Sequence, residues 1–301
     1  MTLSPPHSRI DLHTHSSRSD GVVTPANLYR QMSDAGMRLV ALTDHDTLDG
    51  YRELRATGAG SDAGAGGPAL IAGIEINAIN DEEAWEGELH ILGFGMIDDD
   101  PVFEAALARQ RVGREMRVRV TLDRLRALEM PVDDAFAEIV AGAGPTSLGR
   151  PHVARALGMA GHATSVDDAF TRILGRGQPA YVPRLGLGPR DAIEAIRAAG
   201  GLPVLAHFRE APERGELIDR LIGWGLGGLE VYYAGMGRPF AAAEVAALAI
   251  FAQERGLIAT GGTDYHGDTM TYGEAVADLS IPAALEAAFL AALEAARGAR
   301  R

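Results

Sequence analysis

His13 and His15 stand two residues apart at the end of an apolar run, Arg9–His13. On an extended chain that spacing puts both rings on one face. Asp20 follows five residues later. His45 lies in Thr43-Asp44-His45-Asp46, just past a second apolar run. Glu75 ends a third, His90 lies in a fourth, and His207 ends Leu202–His207. Asp264 and His266 form an Asp-x-His pair after Gly261-Gly262-Thr263. These six imidazoles and three carboxylates fall almost all at the ends of apolar runs. A buried carboxylate without a partner is costly, and a metal ion compensates it. Mixed His/Asp/Glu ligation with no thiolate suits Mn²⁺, Fe²⁺ or Zn²⁺. A single strand-end histidine is more often a hydrogen-bonded structural residue; the conjunction of all nine points to a shared metal centre. Asp44 and Asp46 read two ways, as partners that hold a ligand in place or as caps for a helix from Thr47 onward. Two divalent ions against three carboxylates leave a surplus of one positive charge, and three ions a surplus of three. Such a centre would bind a phosphate and activate water.

The elements that must position these residues are short apolar runs alternating with helical stretches, the mark of repeated β–α units. Candidate strands are Arg9–His13, Leu39–Thr43, Ala69–Ile76, Leu89–Phe94, Leu202–His207, Gly228–Tyr232 and Leu257–Thr263. Candidate helices are Pro25–Ala35, Pro189–Ala199, Phe240–Arg255 and Pro282–Arg297, the first opened by Thr24 and proline and closed by Gly36. The class is α/β, and in a β/α barrel the strand ends are where catalytic residues converge. Gly58–Gly67 reads as a flexible loop. Asp98-Asp99-Asp100-Pro101 breaks the pattern, and from there to about Pro183 the chain reads as helical. The expected division is a first barrel part over 9–100, a helical insertion over 101–183 and a second barrel part over 184–301. Within the insertion, residues 109–126 carry seven arginines against Glu115 and Asp123. That stretch is either a solvated helix face or a surface that meets phosphate.

Composition removes several alternatives. The chain has 301 residues, 47% hydrophobic and 23% charged, as in an ordinary globular protein. It has no cysteine, so no disulfide, thiolate metal site or cysteine nucleophile. All 28 basic residues are arginine, which excludes Schiff-base and P-loop lysine chemistry. The net charge of −13 argues against general coating of nucleic acid. No apolar run approaches the roughly 18–20 residues that span a bilayer, and Met1 to Arg9 has no apolar core for a secretory signal. The expectation is a cytoplasmic protein with no membrane contact and no obligate protein partner.

Ile10-Asp11-Leu12-His13-Thr14-His15-Ser16 with Ser19-Asp20-Gly21, and Ala41-Leu42-Thr43-Asp44-His45-Asp46, resemble the first two motifs of the PHP (polymerase and histidinol phosphatase) family of metal-dependent phosphoesterases. Gly73-Ile74-Glu75-Ile76 with Leu89-His90-Ile91-Leu92-Gly93 resembles the third, and the stretches around His207 and Asp264-Tyr265-His266 the last two. The resemblance implies a distorted (β/α)₇ barrel with a helical insertion and a site for two or three divalent ions, Mn²⁺ first among them. It implies that His13, His15, Glu75 and Asp264 hold one ion, that Glu75 bridges to a second held by His90 and His207, and that Asp20, His45 and His266 hold a third. His266 and Asp46 are the candidate catalytic groups. Within the family the insertion resembles a stand-alone, TrpH-like group of 3′,5′-nucleotide bisphosphate phosphatases and 5′→3′ exoribonucleases. Its Gly149-Arg150-Pro151-His152-Val153-Ala154-Arg155 is similar to that group's R-x-H-x-A-R pattern, which implies that Arg150 and His152 contact substrate phosphate. Gly175-Arg176-Gly177-Gln178-Pro179-Ala180-Tyr181-Val182 matches another segment, with Gln178 where lysine is common, and Phe208 stands where proline usually follows the ligand histidine. The implied reaction is hydrolysis of nucleotide phosphate esters, of bisphosphonucleotides or 5′ ends of short RNA, by attack of a metal-bound hydroxide. A histidinol-phosphatase-like monoesterase, an amidohydrolase and a non-catalytic module of the family are the competing readings.

Overall fold

The computed structural model describes residues 9–60, 67–80, 87–235 and 238–299. Seven strands lie side by side in chain order: β1 (Ile10–Asp11), β2 (Leu39–Leu42), β3 (Ala69–Asn80), β4 (Gly87–Phe94), β5 (Leu202–Leu205), β6 (Gly228–Tyr233) and β7 (Ile258–Gly262). All neighbours pair in parallel except β4, which runs antiparallel to both β3 and β5. The sheet curls until its ends meet. The Leu12 amide donates to Gly261 O at 3.2 Å and the Asp264 amide to His13 O at 2.7 Å. Closure needs a glycine at 262, where a Cβ would lie 2.5 Å from the His13 backbone nitrogen. The result is a nearly closed, distorted barrel.

Two runs differ from their expected extents. The first gives only the two residues of β1, because the chain from Leu12 crosses toward β7 and Thr14 bridges Tyr265. The third does not stop at Glu75: β3 continues to Asn80 because β4 returns along it as an antiparallel hairpin with Glu75 opposite Leu92 and Asn77 opposite His90. Glu75 therefore sits inside a strand rather than at its end.

Local chemistry explains the helices that matter for the site. α1 (Pro25–Asp34) starts where the Thr24 side chain accepts from the Asn27 amide, with proline in the first turn, and buries Leu28 and Met32. α2 (Asp49–Ala56) follows the second strand, with Leu48 in its cap position, so neither Asp44 nor Asp46 caps it. α3 (Pro101–Ala127) is capped by Asp100, whose carboxylate accepts from the Val102 and Phe103 amides at 2.9 and 3.0 Å. Its buried stripe changes character along its length. Phe103 and Leu107 enter the barrel core, and Val118 and Leu125 enter a separate cluster with Val153, Leu157 and Ile173. Between them the stripe is polar, made of Gln110, Arg114 and Arg117. α4 (Asp133–Ala143), α5 (Arg150–Met159) and α6 (Val166–Ala169) complete the stretch after β4, with no strand among the described residues 101–183. α6 runs into a π-helical turn over Phe170–Leu174, closed by the Gly175 amide on Phe170 O at 2.8 Å.

The remaining helices cover the barrel: α7 (Pro189–Ala198), α8 (Gly215–Trp224), α9 (Ala242–Glu254), α10 (Tyr272–Ala277) and α11 (Ala284–Gly298). Of the expected loop Gly58–Gly67, residues 61–66 lie outside the described residues. Among the described residues no helix is long and apolar enough to cross a membrane.

Candidate metal centre

The loops after β1, β2, β5 and β7 and the middle of the β3–β4 hairpin bring all nine expected residues to one end of the barrel. Glu75 is at the centre. Its Oε1 lies 2.8 Å from His90 Nδ1, 3.1 Å from His207 Nε2 and 3.5 Å from His13 Nε2. Its Oε2 lies 3.0 Å from His45 Nδ1 and 3.2 Å from His15 Nε2. Asp264 Oδ1 is 3.2 Å from His15 Nε2 and 3.4 Å from His13 Nε2. Asp20 faces His266 Nε2 at 3.4 Å and His45 Nε2 at 3.6 Å. Three groups are tight enough for one ion to be shared: His15, Asp20, His45 and His266; His13, His15 and Asp264; and His13, Glu75 and His207. His90 belongs to none of the three; it reaches the others through Glu75.

The donor atoms fit a divalent ion. His13 Nδ1 donates to Glu230 Oε1 at 3.0 Å, which leaves Nε2 as the lone-pair nitrogen facing Glu75 and Asp264. His13 Nε2, His15 Nε2 and His45 Nδ1 are buried and make no hydrogen bond. Lone pairs aimed at carboxylate oxygens at 3.0–3.5 Å need positive charge between them. Electrostatics agree. Burial alone would lower His13, but Glu230, Asp264 and Glu75 push it well above its ordinary value. His15, buried as deeply, is driven by Asp264, Glu75 and Asp20 to about 10. Burial would raise Glu75 and Asp20, yet the surrounding rings hold both well below the carboxylate range. His45 goes the other way, to about 4, chiefly through burial.

Several residues that hold the ligands carry no expected role in the sequence reading. Glu230, fully buried on β6, holds His13 by one oxygen and accepts the His207 amide at 2.8 Å by the other. The signal was a lone acid inside the apolar run Gly228–Tyr232. Asp11, in the first run, accepts from the Thr263 amide and hydroxyl at 3.0 and 2.7 Å and from Tyr272 Oη at 2.9 Å, and so ties β1 to the loop that carries Asp264. The Tyr233 hydroxyl donates to Asp264 Oδ2 at 2.8 Å. Asp44, expected either as such a holding partner or as a helix cap, accepts from the Ser16 amide and hydroxyl and from the Ser19 hydroxyl at 2.7–2.8 Å, which shapes the turn between His15 and Asp20. Among the described residues four non-glycine residues have positive φ, and three are here: His207 (29°), Asp264 (48°) and Asp46 (54°). Backbone held in that region marks a site whose surroundings over-determine it.

Two of the expected residues are engaged by other partners in this structure. Asp46 is fully buried and does not face the metal cluster; its carboxylate is taken by Arg114 Nε, by Arg184 Nη2 at 2.7 Å and by Gln110 Nε2 at 3.3 Å. An acid held by two guanidiniums is no proton acceptor. His152 is 1% exposed, and its Nδ1 accepts from the Gly149 amide at 3.1 Å, so the ring closes the start of α5 instead of lining the cavity. His266 stays with the ligand-type residues: its Nδ1 bonds Asp264 O at 2.8 Å, which turns Nε2 toward Asp20.

Arg150 does line a cavity, one that opens beside Asp20, His45 and His90. The arginine-rich stretch divides. Arg114 and Arg117 are buried at this cavity, Arg126 pairs with Asp123 and Asp133, and Arg109 and Arg119 are exposed. Arg184 joins from the segment that leads into α7. Four guanidiniums thus meet only two carboxylates, Asp46 and Glu88, a surplus of two positive charges. Arg117 Nη2 lies 3.0 Å from Glu88 Oε1 but makes no hydrogen bond to it, and Arg184 Nε has no partner. Burial would raise Glu88, but Arg117, Arg150 and Arg184 hold it at about 2. Arg114 Nη2 donates to Asn77 Oδ1 at 2.7 Å, and Asn77 Nδ2 meets His90 Nε2 at 2.7 Å, so the arginine cavity and the metal cluster share a hydrogen-bonded wall.

This combination of curled seven-strand barrel, one antiparallel strand and a Glu-centred cluster of histidines defines a metal-dependent hydrolase, and comparison with known proteins agrees. The PHP domain family matches residues 11–127. A 5′-3′ exoribonuclease of Haemophilus influenzae is 33% identical over 263 residues, 86% of this chain and 90% of that protein. A 3′,5′-nucleoside bisphosphate phosphatase of Chromobacterium violaceum is 30% identical over 270 residues, 86% of this chain and 87% of that protein. A crystal structure assigned to a metal-dependent phosphoesterase of Bifidobacterium adolescentis superposes with a TM-score of 0.75 at 30% identity, covering 92% of this chain and 96% of that one. The chain belongs to the PHP-domain family and is a phosphoester hydrolase.

Proposed function

We propose that the chain is a cytoplasmic phosphatase and exonuclease for nucleotides that carry a second phosphate: 3′,5′-bisphosphonucleotides and the 5′ ends of short RNA. The observation that carries this reading is the pairing of two cation-rich sites on one wall. The Glu75 cluster would take the scissile phosphate. The adjoining cavity, with two more guanidiniums than carboxylates, suits a dianion such as a terminal phosphate. Both relatives named above act on substrates of this kind by their names.

In this reading His13, His15, Asp264 and Glu75 hold one ion, Glu75 with His207 and His90 a second, and Asp20, His45 and His266 a third. When bound, divalent ions polarise phosphoryl oxygens and supply a water acidic enough to attack phosphorus, and Mn²⁺ suits this hard, mixed N/O donor set. The chain's own residues supply the rest. Glu230 and Asp264 O fix the ring tautomers of His13 and His266. Tyr233 steadies Asp264, and Arg150, Arg117 and Arg184 hold the second phosphate so that the first lies at the cluster.

The test is a substrate panel with Mn²⁺: a 3′,5′-bisphosphonucleotide, a nucleoside monophosphate, histidinol phosphate and a short 5′-phosphorylated RNA. The expected result is kcat/KM at least about tenfold higher for the two substrates with a second phosphate, the value of one charge-assisted contact. Equal turnover of histidinol phosphate would overturn it. Metal analysis should find at least two ions per chain; fewer than one, with no rescue by added Mn²⁺, would overturn the metal assignment.

A further inference from the structure

The cavity beside the metal cluster has a second wall of different chemistry. Beside the arginines it is also lined by the apolar Val118, Leu148, Pro151 and Phe170. Phe170 is the aromatic residue of this wall, and it stands where α6 passes into the π-helical turn. Such turns are uncommon and often mark functional positions. The ring is not fully withdrawn into the neighbouring apolar cluster: it packs on it while remaining half-buried at the cavity. The Arg150 guanidinium carbon lies 5.3 Å from the ring centroid. Arg150 and Phe170 thus stand side by side at the cavity, the ring half-buried among its lining residues.

A phosphate needs no aromatic surface. A planar base does: every base has a π face, and stacking on phenylalanine or on a guanidinium plane is tolerant of sequence. We propose that Phe170, with Leu148, Val118 and Pro151, forms a shelf for the base of the nucleotide whose phosphate Arg150 holds. The proposal rests on the reading of the substrate given above and deepens it: the ligand class is a nucleotide rather than any compound with two phosphates, and the base is accepted by its flat face. No hydrogen-bonding side chain stands on this wall among the described lining residues, so the shelf would prefer larger bases over smaller ones without reading their edges.

The test compares a 3′,5′-bisphosphonucleotide with an abasic ribose 3,5-bisphosphate, in the wild type and in Phe170→Leu. Leucine keeps an apolar side chain in the cluster and removes the ring. In the wild type the nucleotide should have a KM about tenfold or more below that of the abasic compound, with similar kcat, and adenine should exceed uracil. In Phe170→Leu that ratio should fall toward one. Equal treatment of the two compounds by the wild type, or an equal loss on both in the variant, would overturn the shelf. Calorimetric binding of adenosine 5′-monophosphate against ribose 5-phosphate reads the same wall without turnover. If bisphosphonucleotides are not hydrolysed, the functional reading falls. A base-dependent affinity that Phe170→Leu abolishes would still uphold the shelf, and base-independent binding would overturn it.

Discussion

Replacing Arg150 with alanine separates substrate binding from support of the fold, because the structure holds this side chain loosely. Its two polar contacts, to Leu174 O and to Glu88 Oε1, are both 3.5 Å, at the limit of a hydrogen bond. Their loss should cost under about 1 kcal/mol, a fall of about 2 °C or less in Tm for a domain of this size. In the complex the same guanidinium would meet a dianion in a partly enclosed cavity lined by three other arginines. A charge-assisted contact there contributes about 1.5–3 kcal/mol, so kcat/KM for a 3′,5′-bisphosphonucleotide should fall about ten- to a hundredfold. For an aryl phosphate with one phosphate the fall should be under about threefold, since nothing fills the arginine cavity. Steady-state kinetics on both substrates, with Tm measured in parallel, make the assay. An equal fall on both, or a large fall in Tm, would refute the reasoning and make Arg150 a support of the barrel or of the metal cluster.

Glu230→Gln should weaken metal binding about ten- to a hundredfold in chelator competition, because the His13 ring and the His207 amide both lose an anionic partner; unchanged affinity would remove Glu230 from the site. Asp46→Asn leaves Arg114 and Arg184 buried without their carboxylate, so stability should drop by about 3 kcal/mol, seen as a Tm lower by about 5 °C, with metal content retained. Lost activity at unchanged Tm would restore a catalytic role for Asp46. Glu88, held at about 2 against an ordinary 4.5, contributes stability that is complete above 4.5 and lost as pH falls toward 2. Chemical denaturation of Glu88→Gln across that window should show a shallower loss than the wild type, and parallel curves would contradict the arginine pairing.

The sequence by itself determined which histidines and acids the structure gathers at one end of the barrel. Histidines and acids at the ends of apolar runs cannot be buried there without a compensating partner, and period-2 and 3.6 patterns located the strands and the main helices that carry them. It also located the helical stretch after the fourth strand. It did not fix which neighbours hold those ligands. Glu230 and Asp11 lay in plain view as acids inside apolar runs, yet their partners, His13 and Thr263, are more than two hundred residues away in the chain. Asp46 has the residue type of a base and sits beside His45, and only the packing of α3 and of the 184 segment against it turns it into an ion-pair partner. The seven arginines of residues 109–126 look alike as letters. Helical geometry and the turn of the barrel send Arg114 and Arg117 inward and leave Arg109 and Arg119 in solvent. Local pattern fixes residue type and element, because both depend on neighbours along the chain. Charge pairing, ring tautomer and the shape of a cavity depend on neighbours in space, and only the tertiary packing of α3 and the 184 segment against the strand-end loops decided these.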